Sequence, residues 1–225
     1  MYLGVISDIH GNSLGLSAVL ADLERQRVNR ILVAGDLVGY YPYVNEVFEL
    51  LQTWDASYVV GNHDCYLLGK LPVGEERRRS YNLDYVERVI LHQNRVLLAS
   101  LPTERMFEFD GALCLLCHGS PWSVEEYIYP DHKGFERFRT LKADIVVMGH
   151  THVPMIRHVG DVLLVNSGSC GQPRDYNPLA AYALIDTETR TSEIRRVPYD
   201  IDAVCRRVAA EGFDQDLIAI LRRTR

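Results

Sequence analysis

Three successive units of strand, polar tip and helix open the chain, and this alternation constrains the fold more than any other feature of the sequence. A first strand is expected over Tyr2 to Ser7, running into Asp8-Ile9-His10-Gly11-Asn12, and a helix over about 13–27 follows with Leu16, Val19, Leu20 and Leu23 on one face. A second strand, Arg30 to Ala34, ends at Gly35-Asp36. A helix over about 44–54 leads to a third, Tyr58 to Val60, which breaks at Gly61 into Asn62-His63-Asp64. Such alternation is the pattern of an α/β fold. It places Asp8, His10, Asp36, Asn62 and His63 at the carboxyl edge of one sheet, where open α/β sheets bind their ligands. Gly61 has no Cβ, so the backbone can turn there and a ligand or ion can approach closely.

The second half is rich in strands. They are expected over Ala112 to Cys117, Asp144 to Met148, Met155 to His158, Val162 to Val165, Ala180 to Ile185 and Ser192 to Val197, with turn residues such as Gly160-Asp161 between them. No repeat, low-complexity tract or linker interrupts the chain, so these strands are expected to form a second sheet packed on the first, within a single domain over 1–225. Between the halves, Tyr81 to Ser100 reads as one or two helices placed to cover the site. The run Arg77-Arg78-Arg79 reads either as a phosphate contact or, in first place, as a solvated helix start, and 202–223 as one or two closing helices.

Of eight histidines, five (His10, His63, His118, His150 and His152) stand at strand-to-polar junctions. His10 follows Asp8, and His152 follows His150, at a spacing of two residues, which lets both members of each pair reach one point. A lone histidine at a strand end is ordinarily a hydrogen-bonded structural residue; five of them, joined by Asp8, Asp36 and Asn62, form a ligand set. His92, His132 and His158 lack that context and read as surface or helix residues.

Composition sets the remaining limits. With 47% hydrophobic residues in 225, the chain buries a sizeable core, and its apolar runs are too short to cross a bilayer. Neither a membrane span nor a signal peptide is read, so a cytoplasmic location is expected. A net charge of −6 argues against an extended nucleic-acid surface. Any anionic partner must instead be held locally, by a few arginines or by metal ions. Five cysteines, an odd number, fit reduced thiols better than a disulfide framework. Cys114-Leu115-Leu116-Cys117-His118 matches the spacing of a haem attachment site, but it lies in a strand, where Cys114 and Cys117 point to opposite faces and only His118 emerges.

Taken in order, Asp8-x-His10, Gly35-Asp36, Gly61-Asn62-His63-Asp64, His118 and Gly149-His150-Thr151-His152 resemble the five-block signature of the calcineurin-like metallophosphoesterase superfamily. Asp8-Ile9-His10-Gly11-Asn12 and Asn166-Ser167-Gly168-Ser169-Cys170-Gly171-Gln172-Pro173-Arg174 look like the bacterial single-domain phosphodiesterases of that superfamily, and like enzymes described as diadenosine tetraphosphatases. The resemblance implies a four-layer α/β/β/α sandwich of two mixed β-sheets flanked by helices. It also implies a phosphoesterase acting on a small phosphoester or nucleotide, with dinucleoside polyphosphate hydrolysis and a non-catalytic scaffold as alternatives. Homo-oligomerisation stays open.

By the same resemblance Asp8, His10 and His152 hold one metal ion, Asn62, His118 and His150 hold a second, and Asp36 bridges them. Mixed imidazole, carboxylate and amide donors suit Mn²⁺, placed first here, or Fe, Ni²⁺ or Zn²⁺. Two such ions, about 3.5 to 4 Å apart, hold a bridging water that becomes the hydroxide attacking phosphorus. The resemblance gives His63 contact with the phosphoryl group and the role of general acid, with Asn62 also at the substrate. Asp64 is read either as orienting His63 or as capping a turn. Arg174 is read either as a phosphate contact or as a surface residue paired with Asp175. Tyr40, Tyr41 and Tyr43 are read either as an aromatic wall for a base or as core.

Overall fold

The computed structural model describes residues 1–224 and consists of two five-stranded sheets. The first has the order β10-β9-β1-β2-β3, with β1 at Tyr2–Ile6, β2 at Arg30–Val33, β3 at Asp55–Tyr58, β9 at Ala180–Asp186 and β10 at Thr191–Val197. In the second, ordered β4-β5-β6-β8-β7, the strands are β4 Glu104–Phe109, β5 Ala112–Cys117, β6 Ile145–Met148, β7 Met155–Val159 and β8 Val162–Asn166. Within each sheet three adjacent strands run parallel: β1, β2 and β3 in one, β5, β6 and β8 in the other. Their carboxyl ends meet at one edge of the sandwich, as the α/β pattern requires.

The layers follow from side-chain alternation. Leu3, Val5, Leu32, Cys114, Leu116, Ile145, Val147 and Val165 interdigitate between the sheets. On the outer side of the first sheet, Leu16, Val19, Leu20 and Leu23 of helix α1 (Ser13–Arg25) pack with Val47 and Phe48 of α2 (Val44–Leu51). Leu115, Cys117 and Val146 face outward from the second sheet, under Phe135 and Phe138 of a six-residue 3₁₀ segment (Phe135–Thr140) and its flanking loop. Cys114 and Cys117 thus lie in different layers, and all five cysteines are buried free thiols.

The structure departs from the sequence reading at five places. Strands β9 and β10 leave the second half of the chain and join the first sheet, where β9 pairs antiparallel with the free edge of β1. The small side chains of Ala180, Ala181 and Ala183 let β9 be covered on both faces. The third strand is Asp55–Tyr58, because pairing with β2 aligns Arg30 with Asp55; Val59 and Val60 continue beyond it as extended chain. Strand β4 was not read, since an exposed edge strand carrying Glu104, Arg105 and Glu108 has little apolar alternation. Helices α3 (Asn62–Leu67) and α4 (Glu75–Ser80) precede α5 (Leu83–Val89) and α6 (His92–Ser100), and these last two cover the first sheet with Leu83, Val86 and Leu98 more than they cover the site. Arg77, Arg78 and Arg79 occupy the last turn of α4 rather than its start. Helices α7 (Ile201–Ala210) and α8 (Asp216–Arg222) close the chain. Among the described residues no helix is long and apolar enough to cross a membrane.

Leu32 is fully buried between the sheets. Leu32→Ala is expected to lower the unfolding free energy by about 2 to 5 kcal/mol, read from urea midpoints at constant m-value. A loss below about 1 kcal/mol would show that this layer collapses around the cavity.

Candidate metal centre

Every polar tip singled out in the sequence arrives at the common edge. Asp8 and His10 follow β1, Asp36 follows β2, Asn62 and His63 open α3, His118 follows β5, and His150 and His152 follow β6. All are buried, none more than 4% exposed. Three overlapping groups bring donor atoms within 4.8 Å of one another: Asp8, His10 and His152; His10, Asp36 and His63; and Asp36, His118 and His150.

The hydrogen bonds fix which atoms face the centre. Nδ1 of His10 lies 3.1 Å from the Val38 carbonyl, Nδ1 of His118 lies 2.6 Å from that of Ala34, and Nδ1 of His152 lies 2.6 Å from that of Gln172. A carbonyl can only accept, so each Nδ1 carries the proton and each Nε2 is turned inward. Each carboxylate is divided in the same way. Asp8 accepts the His150 N–H through Oδ2 at 3.0 Å, leaving Oδ1 without a hydrogen bond and 3.3 Å from His152 Nε2. Asp36 accepts the His63 N–H through Oδ1 at 2.9 Å, leaving Oδ2 at 3.5 Å from His10 Nε2 and 3.4 Å from His118 Nε2. Asp36 therefore stands between the two histidine groups.

Protonation follows from burial and these neighbours. Burial holds His10 down to about 4, His150 down to about 3, and His152 well below the usual range. Neutral rings then set Nε2 of His10 and Nε2 of His152 3.1 Å apart with lone pairs facing. Burial also lowers His118, but the charge and hydrogen bond of Asp36 outweigh it and push the imidazole up to about 9. Its Nε2–H donates to Asn62 Oδ1 at 3.0 Å. For Asp36 burial acts upward, yet the charge and hydrogen bond of His118 hold the carboxyl well below its ordinary value. Burial, helped by the charge of Asp36, pushes Asp8 up to about 7.

Six residues here occupy left-handed backbone: Asp8, His10, Asp36, His150, His152 and Tyr40, with φ between 51° and 67°. Each costs on the order of 1 kcal/mol. Backbone bonds between loops hold them, as in Asp8 N–H to the Gly35 carbonyl and His10 N–H to the Asp36 carbonyl. Gly61 serves close approach rather than a special turn. Its φ is −96°, and a Cβ there would lie 2.1 Å from Asp36 Oδ1.

The structure decides between the readings left open at three sites. Asp64 does not orient the His63 ring; it takes the capping role, accepting the Gly61 N–H at the start of α3. Its carboxylate accepts the N–H groups of Asp36 and Gly61 through Oδ2, and of Leu37 and Val38 through Oδ1, so it clamps the loop that carries Asp36. Burial and the charge of Asp36 raise its pKa to about 7, yet four N–H donors leave no acceptor for a carboxyl proton, and the ionised form is the one that fits. Arg174 does not pair with Asp175, which binds Arg196 instead; its guanidinium donates to Gln172 Oε1 at 2.7 Å and to the Tyr40 hydroxyl at 3.0 Å. Of the three tyrosines only Tyr40 reaches the centre, 4.7 Å from His10 and 4.8 Å from His63 between ring centroids. Tyr41 is core, and Tyr43 caps α2.

The sequence reading missed Tyr81 and Tyr127, which cover His63 at 4.0 Å and His150 at 3.9 Å. It also missed Gln172, which holds both His152 and Arg174. The two tyrosines lie in charged or irregular segments, where periodicity carries no signal; Gln172 sits in the stretch 166–174 that carries part of the family resemblance.

Comparison with known proteins agrees with this geometry. The profile of the calcineurin-like phosphoesterase superfamily domain matches residues 1–190. The chain belongs to that superfamily, a family of metallophosphoesterase hydrolases, and its clustered Asp and His side chains are those of a divalent-metal site. An uncharacterized protein of Methanocaldococcus jannaschii is 34% identical over 217 residues, covering 88% of each chain. The crystal structure of a metallophosphoesterase from Sphaerobacter thermophilus superposes with a TM-score of 0.86 at 28% identity, covering 99% of this chain and 98% of that one. A hypothetical protein from Pyrococcus horikoshii shares the fold with a TM-score of 0.87 at 22% identity, over the same shares of the two chains.

His118 gives the metal-free protein a pH signature. Its folded pKa of about 9 exceeds the ordinary 6.5, so its contribution is complete below about pH 6.5 and is lost as pH rises through about 9. His118→Gln is expected to remove a pH-dependent term on the order of 3 kcal/mol from the metal-free protein over that range. Chemical unfolding of both proteins at several pH values measures it, and parallel stability curves would show that the charge on His118 is not the source.

Proposed function

We propose that the chain is a phosphoesterase using two divalent metal ions, with Asp8, His10 and His152 holding one, Asn62, His118 and His150 the other, and Asp36 both. One observation supports this above others. The Nδ1-anchored imidazoles of His10 and His152 and the half-used carboxylates of Asp8 and Asp36 converge their free lone pairs, and Nε2 of His10 and Nε2 of His152 face each other at 3.1 Å. A cation turns that repulsion into coordination. Asp8 Oδ1 and His150 Nε2, buried without hydrogen bonds, fit the same role. The donor set matches Mn²⁺, with Fe, Ni²⁺ or Zn²⁺ as alternatives, and no cysteine joins the clusters.

Bound ions would supply Lewis acidity, lowering the pKa of a bound water and neutralising charge on phosphoryl oxygens. The chain's own residues do the rest. To hold a cation, His118 would give up its Nε2 proton and with it the hydrogen bond it now donates to Asn62 Oδ1. Arg174, pre-oriented by Gln172 and Tyr40, offers its fork to a phosphoryl oxygen. His63 is the proton donor to the leaving oxygen. Burial keeps its ring neutral without substrate, its Nδ1 has no hydrogen bond, and an arriving phosphate's negative charge favours its protonation.

Metal analysis of the purified protein, with a panel of mono- and diesters under Mn²⁺, Ni²⁺ and Zn²⁺, tests the reading as a whole. Asp36→Asn is expected to reduce bound metal from about two ions per chain to one or none and to abolish turnover. Two retained ions with normal turnover would remove Asp36 from the bridge. His63→Ala is expected to keep both ions while slowing an alkyl ester by about 10², equivalent to about 2.7 kcal/mol of barrier. A nitrophenyl ester, whose leaving group departs unprotonated, should lose less. Equal losses in kcat/KM on both esters would make His63 a phosphate contact instead.

A further inference from the structure

The approach to the centre carries aromatic rings that the proposed chemistry does not use. Tyr127 lies over His150 with ring centroids 3.9 Å apart, and Tyr129 runs parallel to Tyr127 within 4°, at 5.7 Å. The three rings form a column leading outward from a buried metal-ligand candidate. Tyr127 is 46% and Tyr129 40% exposed, so ring area of both tyrosines stands in water beside a polar centre. On the His63 side, Tyr66 runs parallel to Tyr81 within 18°.

Positive charge accompanies these rings. Arg174 forms no ion pair among the described residues; its partners are Tyr40 and Gln172. Arg77, one turn before Tyr81, likewise has no carboxylate partner among them, whereas its neighbour Arg78 is tied to Asp84 and Glu87. Arg174 donates to the Tyr40 hydroxyl, the Tyr40 ring meets Tyr81 at 5.3 Å, and Tyr81 lies 6.1 Å from Tyr66, so rings and a guanidinium group border one side of the centre. The nearby Glu125 carboxylate is taken up by the Tyr66 hydroxyl. In a chain of net charge −6, two arginines left without carboxylates beside stacked rings describe a ligand that is anionic at one end and planar at the other.

We propose that Tyr127 and Tyr129 form a stacking platform for a nucleobase, so that the substrate is a nucleotide ester whose phosphate lies between the metal centre and Arg174. This rests on the phosphoesterase reading and narrows its substrate. A sugar or alkyl phosphate would leave the two ring faces wet, whereas a purine covers apolar area on rings that lose little entropy when they are covered.

The test compares two ligands that differ only in the base. The methylenephosphonate analogues of AMP and of ribose 5-phosphate, which cannot be hydrolysed, are titrated calorimetrically into the Mn²⁺-loaded protein. The wild type is expected to bind the AMP analogue at least about fivefold more tightly, the lower end of what one stacked base contributes. In Tyr127→Ala and Tyr129→Ala that ratio should fall toward one, with the ribose analogue measured in each variant as its own reference. Tyr129→Phe, which keeps the ring, should preserve it. Equal affinities in the wild type, or a ratio that survives both alanine variants, overturns the stacking platform while leaving the phosphoesterase reading intact. If neither analogue binds and no ester is hydrolysed, both fall together. The wild-type comparison decides the matter even where an alanine variant does not fold.

Discussion

Lone pairs that face one another at the carboxyl edge of the sheets are the constraint on which the rest of the structure depends. His10 and His152 present unprotonated nitrogens at 3.1 Å, and Asp8 and Asp36 each hold one oxygen toward the same space. Left to themselves these groups would turn to water or separate. They stay because each has a second polar atom committed to the backbone: three Nδ1 atoms to carbonyls, and Asp8 Oδ2 and Asp36 Oδ1 to N–H groups. The left-handed backbone at five of the seven proposed ligands belongs to the same arrangement. That conformation points a side chain back over the strand end, and the cross-loop hydrogen bonds over-determine it.

The candidate ligands come from both sheets. The first delivers Asp8, His10, Asp36 and Asn62; the second delivers His118, His150 and His152. The apolar layer between them, from Leu3 and Val5 to Val147 and Val165, therefore sets the distance between the two halves of the site. Close tolerances follow at the joints. Gly61 passes so near Asp36 that a methyl group would overlap its carboxylate, and Asp64 binds the loop after β2 to the first turn of α3 through four N–H groups. Asn166, the last residue of β8, ties the second sheet's edge together by donating to the Gly149 carbonyl and to Thr151.

Aromatic rings and one arginine border the buried centre. Tyr81 and Tyr127 cover two of its histidines, and Arg174 stands beside Tyr40 without a carboxylate partner among the described residues. Burial strengthens every charge interaction made there. It also explains why the imidazoles stay neutral except His118, the one placed closest to Asp36 with both a charge and a hydrogen bond.

Much of the site was written in the sequence, because it is local. A strand that ends in Asp-x-His or His-x-His fixes both the edge and the facing of those side chains within three residues, and Asp8, His10, Asp36, Asn62, His118, His150 and His152 all converge as their strand ends require. The α/β character followed from the same alternation. What depended on partners distant in the chain was not legible. Strand β9 reads the same whether it pairs with β8 or with β1, and only the open edge of β1 decided. Asp64 and Arg174 have side chains that accept or donate in many settings, so their roles awaited the loops that come to meet them. Tyr81 and Tyr127 gave no signal, since an aromatic residue in an irregular segment acquires meaning from the surface it covers, and that surface exists only once both sheets have closed.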